Sequence, residues 1–404
     1  MTMHIRPNQY RLVTRRSLLR ASVGLAGVLV SGKDPFAAPA DPIQSVQSLI
    51  DRYYENSLNT HGANVGVVAG IVTPDDVARN GKIVFAGQQT LTNPDGKHLE
   101  LNERTPFEIA SISKVFTSGL HYMLHGPYEG TLGGWLGSKL TMSRSVADRS
   151  LKNLAVYHPG LAQDNQGGVY PPGMMSSLTA LFSYLSTLTP PFPQGACYSY
   201  SNLGWSLLGM AAVKLASPNG QEFADSYNAK LMQFCRGFSA TNTQVFRPNL
   251  RPRLPMGYTR QFEALPASNN YQPVREGGYG SGGIVSTGAD MMQFLLYNMG
   301  RLPGGLTDRA LAYQQAETLR AAPCSGTGPG PTTSSGWFHG KVQAPQREIA
   351  VLNKNGGVAG FTSWMGFTGW QGTGAASSHG VFVLSNSPVS TRMGNTIMKL
   401  LLLG

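Results

Sequence analysis

The chain has 404 residues, of which 41% are hydrophobic and 13% charged, with a formal net charge of +11. That apolar content suffices for a sizeable core, and the scarcity of charge excludes a disordered chain. Arg6, Arg11, Arg15, Arg16, Arg20 and Lys33 stand against Asp34 within residues 1–40, which leaves +6 for the remainder. No basic cluster is interleaved with aromatics, so the surplus points to solubility or an anionic partner rather than to nucleic acid.

The N-terminus reads as an export signal over residues 1–40. Thr14-Arg15-Arg16-Ser17-Leu18-Leu19-Arg20 has a twin-arginine pattern, and residues 23–30 form an apolar stretch too short to span a bilayer. Ala38-Pro39-Ala40 offers small residues for cleavage, so the mature chain is expected to begin near Asp41. No later run is long and apolar enough for a transmembrane helix. The expected product is periplasmic or otherwise exported, by the twin-arginine route, with no transmembrane anchor.

Residues 42–57 carry Ile43, Val46, Leu49, Ile50 and Tyr53 on one helical face. Residues 65–72 and 82–86 read as strands. Next comes Phe107-Glu108-Ile109-Ala110-Ser111-Ile112-Ser113-Lys114-Val115-Phe116, the head of an apolar helical run. Ser111 and Lys114 are three apart and so share a helix face. A serine hydroxyl is a poor nucleophile until a neighbour takes its proton. A desolvated lysine can do so, because burial favours the neutral amine. By itself, Ser-x-x-Lys is equally a helix start with a surface lysine.

Residues 126–281 mix short helical runs with loops rich in Gly, Pro, Asn and Gln, broken at Pro171-Pro172-Gly173 and Pro190-Pro191-Phe192-Pro193. Within them, Tyr200-Ser201-Asn202 precedes an apolar helix. Residues two apart face one way only on extended backbone, where the Tyr200 phenol could share a proton with Ser111 and Lys114 while Asn202 holds a substrate carbonyl. The bland alternative is a packed tyrosine and an asparagine helix cap. Residues 283–287 read as a strand leading into a helix around Asp290–Asn298, and residues 303–335 as an insertion. Strands are expected at 348–353, 361–367 and 380–385, with a last helix over 391–403. Between the first two, Lys354-Asn355-Gly356-Gly357 places a cation beside glycines that let a ligand approach the backbone.

The three cysteines, Cys197, Cys235 and Cys324, allow one disulfide and leave at least one thiol, with the pairing open. Cys197 has no evident histidine partner and is expected to pack.

Ser111-x-x-Lys114, Tyr200-x-Asn202 and Lys354-Asn355-Gly356 occur in the order and approximate spacing of the serine β-lactamase and penicillin-binding protein superfamily. A tyrosine heading the second motif resembles the class C β-lactamases and the related D,D-peptidases and esterases. Asn153-Leu154-Ala155, the stretch from Gly280 to Met292 and Ser387-Pro388 resemble AmpH-type penicillin-binding proteins, which are periplasmic D-alanyl-D-alanine carboxypeptidase/endopeptidases.

The resemblance implies an α+β fold of the β-lactamase/transpeptidase type, covering residues 41–404. An α/β sandwich lobe (about 41–125 and 282–404) holds an antiparallel sheet flanked by the terminal helices, and a mostly helical lobe spans about 126–281. It also implies roles. Ser111 is the acylated nucleophile, and Lys114 and Tyr200 share the acid and base work. Asn202 holds the substrate amide. Lys354 supplies positive potential, with Asn355, Gly356 and Gly357 along the substrate. The backbone N–H groups of Ser111 and Gly357 form the oxyanion hole. Substrates would be peptidoglycan peptides or β-lactams, with no cofactor and no metal.

Two departures stand out. Asn355 replaces the family's threonine, and Val156-Tyr157-His158-Pro159-Gly160 replaces its Thr-His-Thr-Ser-Gly stretch. His158 is expected to be structural.

Other signals are weaker. The glycines from Gly278 to Gly283 match G-x-G-x-x-G but open no βαβ unit, so they let a loop pass close to the site instead of binding a dinucleotide. His121 and His125 lack carboxylate partners and make a poor zinc site. The competing activities are a β-lactamase, an esterase or D-amino-acid amidase (D-aminopeptidase) of the same fold, and a non-catalytic binding protein, for which the intact Ser–Lys–Tyr set would be superfluous.

Overall fold

The computed structural model describes residues 41–55, 63–75, 81–137, 140–164, 170–171, 174, 177–265, 277–302, 308–316, 319–344, 347–369 and 378–403. The expected export signal, Pro172-Gly173 and the end of the first predicted helix lie outside them. Residues 42–404 form one compact unit.

An antiparallel sheet of eight strands organises the unit. Its order begins β2 (Lys82–Gly87), β1 (Gly66–Val72), β13 (Gly380–Ser385), β12 (Phe361–Phe367) and β11 (Arg347–Val358). It ends with β10 (Phe338–Ala344), β9 (Thr332–Thr333) and β8 (Leu319–Arg320). The central strands are buried on both faces, which explains their unbroken apolar runs. Val67, Ala69, Ile71, Val381 and Val383 join Val46 and Ile50 of the Pro42–Tyr53 helix and Met393 and Ile397 of the Ser390–Leu403 helix in one cluster. Their alternates Val68, Val72, Phe382 and Leu384 join Phe294 and Leu295 of the Gly288–Asn298 helix in the other. Period-two alternation thus divides each strand between two cores.

Two hairpin-scale elements were not expected. β3 (Thr90–Thr92) pairs with β4 (His98–Glu100), while β5 (Pro106–Glu108) and β6 (Gln244–Val245) flank β7 (Ile284–Thr287). β10 was also missed. Residues 303–335 are not a simple insertion either. They contain the Asp308–Gln315 helix and supply β8 and β9, which extend the main sheet. Between residues 126 and 281 the described elements are helices apart from β6 and isolated bridges. The Asn202–Ala212 and Gly220–Arg236 helices are the longest of them that pack near the Ser113–His125 helix.

The pairing of β11 matters most for function. Residues from Arg347 to Asn353 pair with β10, whereas those from Leu352 to Val358 pair with β12. The second half, carrying Lys354 to Val358, therefore overhangs β10 and leaves one side of its backbone unpaired by the sheet.

Candidate active site

The overhanging half of β11 runs beside the turn that carries Ser111. Ser111 does not lie on the α-helix. It sits in a 3-10 turn, Ala110–Ile112, and the helix proper begins at Ser113. Ala110 has φ +48°, a left-handed conformation that costs a residue with a Cβ roughly 1 kcal/mol or more. This turn redirects the chain from β5 into the helix and presents Ser111 at the junction.

The approach of the strand is close. A Cβ on Gly356 would lie 2.5 Å from Ile109 O and 2.9 Å from Ser111 N, and against Ser363 Oγ. Only glycine fits there. Gly357 has open space around its Cα. Along the strand, Lys354 and Gly356 are buried while Asn355 and Gly357 are exposed. The strand continues through both glycines to Val358, so the glycine pair is not a turn.

Lys114 is fully buried. Its Nζ lies 3.1 Å from Ser111 Oγ, 2.7 Å from Asn202 Oδ1 and 2.6 Å from Ser281 O. The last two partners can only accept. A neutral amine would satisfy both with its two N–H groups and keep its lone pair for the Ser111 hydroxyl proton. Burial, reinforced by the Lys354 charge, holds Lys114 well below the ordinary lysine range, while Asp164 pulls the other way. The Ser281 carbonyl comes from the glycine-rich Tyr279–Gly282 turn, where a Cβ on Gly280 would meet Trp205 O at 2.5 Å. The glycines therefore do pass a loop against the site.

Tyr200 and Asn202 stand two apart, on the extended segment and the first helical residue respectively. Ser201, not Asn202, is the helix cap, its hydroxyl accepting from Gly204 N at 3.1 Å. This frees the Asn202 amide to meet Lys114. Lys114 Nζ is 4.9 Å and Lys354 Nζ 5.3 Å from the centre of the Tyr200 ring. Burial raises the Tyr200 phenol above its ordinary range, and its contact with Ser111 pulls it partly back. Burial lowers Lys354 to about 7, and its Nζ donates to Asn355 O at 2.5 Å.

Aromatic rings hold Tyr200 from behind. Tyr157, itself left-handed at φ +65°, stacks on it at 5.4 Å, and Phe338 lies parallel at 6.4 Å. The Tyr157 hydroxyl donates to Gly336 O at 2.8 Å. The divergent Val156–Gly160 stretch thus backs the site, and His158 is buried with Nδ1 2.8 Å from Val156 O.

Sequence reasoning missed three features. Asp164 accepts from Asn202 N at 2.6 Å and from Leu203 N at 2.9 Å. It is the sole acidic residue between Asp148 and Glu222, which was the available signal. Glu108 ends β5 three residues before Ser111; its Oε1 is buried without a hydrogen-bond partner, and burial pushes the carboxyl to about 8. Cys197 and Cys324 form a disulfide, and Cys235 is free and buried. Beside that bond, Tyr198 N donates to Ala322 O and Cys324 N to Tyr198 O, both at 2.9 Å, so residues 322–324 lie along the segment leading to Tyr200.

His121 and His125 take no part. His121 stacks on Tyr128 at 4.7 Å, burial holds it down at about 3, and His125 Nε2 lies 2.8 Å from Ala212 O. Among the described residues no group of three or more His, Cys, Asp or Glu side chains could hold a metal ion. No helix among them is long and apolar enough to cross a membrane.

A buried lysine against a serine at a strained turn, with a tyrosine and an asparagine beside them, defines a serine hydrolase of the Ser–Lys–Tyr type. Residues 76–402 match the model of the beta-lactamase family, and the chain belongs to that family. It is similar to the D-alanyl-D-alanine-carboxypeptidase/endopeptidase AmpH of Escherichia coli (strain K12), at 24% identity over 399 residues, 94% of each chain. The fold matches a solved D-alanine carboxypeptidase AmpC from Burkholderia cenocepacia with a TM-score of 0.65 at 20% identity, covering 89% of this chain and 99% of that one. A solved class C beta lactamase matches with a TM-score of 0.67 at 18% identity, covering 90% and 99%.

Proposed function

We propose that the protein is an exported D,D-peptidase, cleaving D-Ala-D-Ala-type cell-wall peptides through an acyl-enzyme on Ser111. The observation that carries this reading is the arrangement of Lys114, held by two carbonyl acceptors with its remaining valence toward Ser111 Oγ. Similarity to a carboxypeptidase/endopeptidase along 94% of both chains supports the substrate class.

Ser111 Oγ attacks the carbonyl carbon of the penultimate D-alanine and passes its proton to Lys114. The carbonyl oxygen becomes an oxyanion and accepts from the N–H groups of Ser111 and Gly357; removing one such donor typically costs about a hundred- to a thousandfold. The C–N bond then breaks. The Tyr200 phenol gives its proton to the departing amine of the terminal D-alanine and recovers one from Lys114. Water hydrolyses the ester and frees Ser111. Asn202 grips the substrate amide, and Lys354 with Asn355 receives the terminal carboxylate, the Lys354 charge also steadying a Tyr200 phenolate in passing. Residues 1–40 would serve as a twin-arginine signal.

Intact-mass spectrometry with benzylpenicillin tests the reading. A stable adduct on Ser111, absent in Ser111→Ala, supports a slowly deacylating D,D-peptidase. Rapid penicilloate release through a transient adduct would make it a β-lactamase. Turnover of a short nitrophenyl ester without any adduct would make it an esterase.

A further inference from the structure

Lys114 and Asn202 receive attention from one more residue, on a segment remote in sequence. Asp164 lies 38 positions before Asn202. Its backbone N–H donates to Tyr200 O at 3.1 Å. Its Oδ1 accepts from Asn202 N at 2.6 Å, its Oδ2 from Leu203 N at 2.9 Å, and the Ser201 hydroxyl approaches Oδ2 at 3.5 Å. One residue thus grips four consecutive residues, from Tyr200 to Leu203, which include both functional side chains of the second motif.

The grip has an electrostatic side. Both carboxylate oxygens accept N–H groups at the start of the Asn202–Ala212 helix, and the positive end of a helix favours an anion there. Burial raises the Asp164 carboxyl, while the Asn202 and Leu203 N–H groups and the Lys114 charge pull it back toward the anion, and a protonated carboxyl would forfeit one of these acceptor positions. The charge stands one residue from Lys114, since Asn202 N meets Asp164 and Asn202 Oδ1 meets Lys114 Nζ at 2.7 Å.

We infer that Asp164 is a positioning residue of the hydrolase, clamping Tyr200 and Asn202 in place and supplying the negative charge that offsets Lys354 at Lys114. The inference rests on the Ser111–Lys114 reading above and deepens it. Asp164 touches neither substrate nor Ser111 in this role and acts through the second motif.

Among the described residues, the groups facing Lys114 are few. They are Lys354 from β11, Asp164 from its loop and Tyr200 from the extended segment, together with the uncharged Ser111, Asn202 and Ser281 carbonyl. Tyr170 faces Asp164 in turn, and its phenol is raised chiefly by burial and also by that charge. Lys354 drives protons off Lys114 and Asp164 holds them on. Removing the Asp164 charge must therefore make Lys114 lose its proton at lower pH.

The test is the pH profile of Ser111 acylation, read as kcat/KM or as the second-order rate of adduct formation with benzylpenicillin. Wild type, Asp164→Asn and Asp164→Ala are compared, with folding checked by thermal melting. The acid limb reports the free enzyme's base. In Asp164→Asn, which keeps the volume and one acceptor oxygen but removes the charge and the second acceptor, the limb is expected to move down by about one pH unit. In Asp164→Ala the rate at the optimum is expected to fall about a hundredfold, the scale of a misplaced catalytic group. A folded Asp164→Asn whose acid limb coincides with that of wild type overturns the inference, because a purely structural residue would lower the rate without moving the limb. Should wild type take no penicillin but turn over a nitrophenyl ester, the same profiles are measured with the ester. Failure of the D,D-peptidase reading is thereby separated from failure of the clamp.

Discussion

Two neighbouring glycines on β11 should respond very unequally to the same added methyl group. In Gly356→Ala the Cβ would lie 2.5 Å from Ile109 O and 2.9 Å from Ser111 N, with Ser363 Oγ also in conflict. Ordinary contact begins near 3.4 Å, so the strand and the Ser111 turn must separate by roughly half to one ångström. Overpacking of this size costs about 1–3 kcal/mol of stability. The kinetic cost should be larger, because a shift of about 1 Å at a reacting group is worth about a hundredfold. Gly357→Ala meets nothing within 4 Å and keeps its backbone N–H, so its loss should be far smaller. The assay is the rate of Ser111 adduct formation with benzylpenicillin, set beside the melting temperature of each variant. Equal damage in the two variants, or a Gly356→Ala protein that acylates at the wild-type rate, would refute the close approach of β11 to Ser111.

Three further outcomes follow from the site and its surroundings. Lys354 loses its proton as pH rises through about 7, so kcat/KM for a substrate with a free carboxylate should fall by up to about tenfold per pH unit above that value. An ester lacking the carboxylate should not share that fall, and identical profiles would remove Lys354 from carboxylate binding. Glu108 is raised from 4.5 to about 8, so the folded protein binds more protons than the unfolded chain between those values. Its stabilising contribution is therefore complete below about 4.5 and is lost as pH rises toward 8. The lost stability is about 1.4 kcal/mol per pH unit, and Glu108→Gln should melt with a flatter pH dependence between pH 5 and 7 than wild type. Replacing Cys197 and Cys324 together by serine opens a loop of 127 residues, worth about 5 kcal/mol in the chain-entropy model. The variant should melt several degrees lower, and a melting temperature equal to that of wild type would show that the bond contributes nothing to stability.

Much of the site was legible because each motif is local. Ser111 and Lys114 are one helical turn apart, Tyr200 and Asn202 are two residues apart, and Lys354 heads a glycine pair. The apolar runs of β1, β12 and β13 also declared themselves, since both faces are buried. What stayed hidden depends on pairing across long separations. β10 alternates Phe338, Gly340, Val342 and Ala344 with His339, Lys341 and Gln343, a period-two pattern thinned by its glycine and alanine and overshadowed by the stronger run in β11 beside it. β8 and β9 are two residues each and have no pattern of their own. Asp164 belongs to no local motif, and only the fold sets it on the start of the Asn202–Ala212 helix. The disulfide partner of Cys197 could not be chosen because it lies 127 positions along the chain.

The short strands β8 and β9 have a consequence for how the protein behaves in bulk solution. Among the described residues β9 covers β10 only at Phe338 and His339, and no described strand pairs with Gly340 to Ala344 on that side, so they form an edge. That edge is guarded by charge, with exposed Lys341 paired to Glu348 at 2.6 Å. The Cys197–Cys324 bond anchors the loop that feeds β9 and so keeps the rest of the edge covered. A reduced molecule could uncover all seven residues of β10 at once and offer them to the same strand of another copy. Besides steadying each single molecule, the bond would then matter to a crowded population of them, where it limits strand-to-strand aggregation during storage or overproduction.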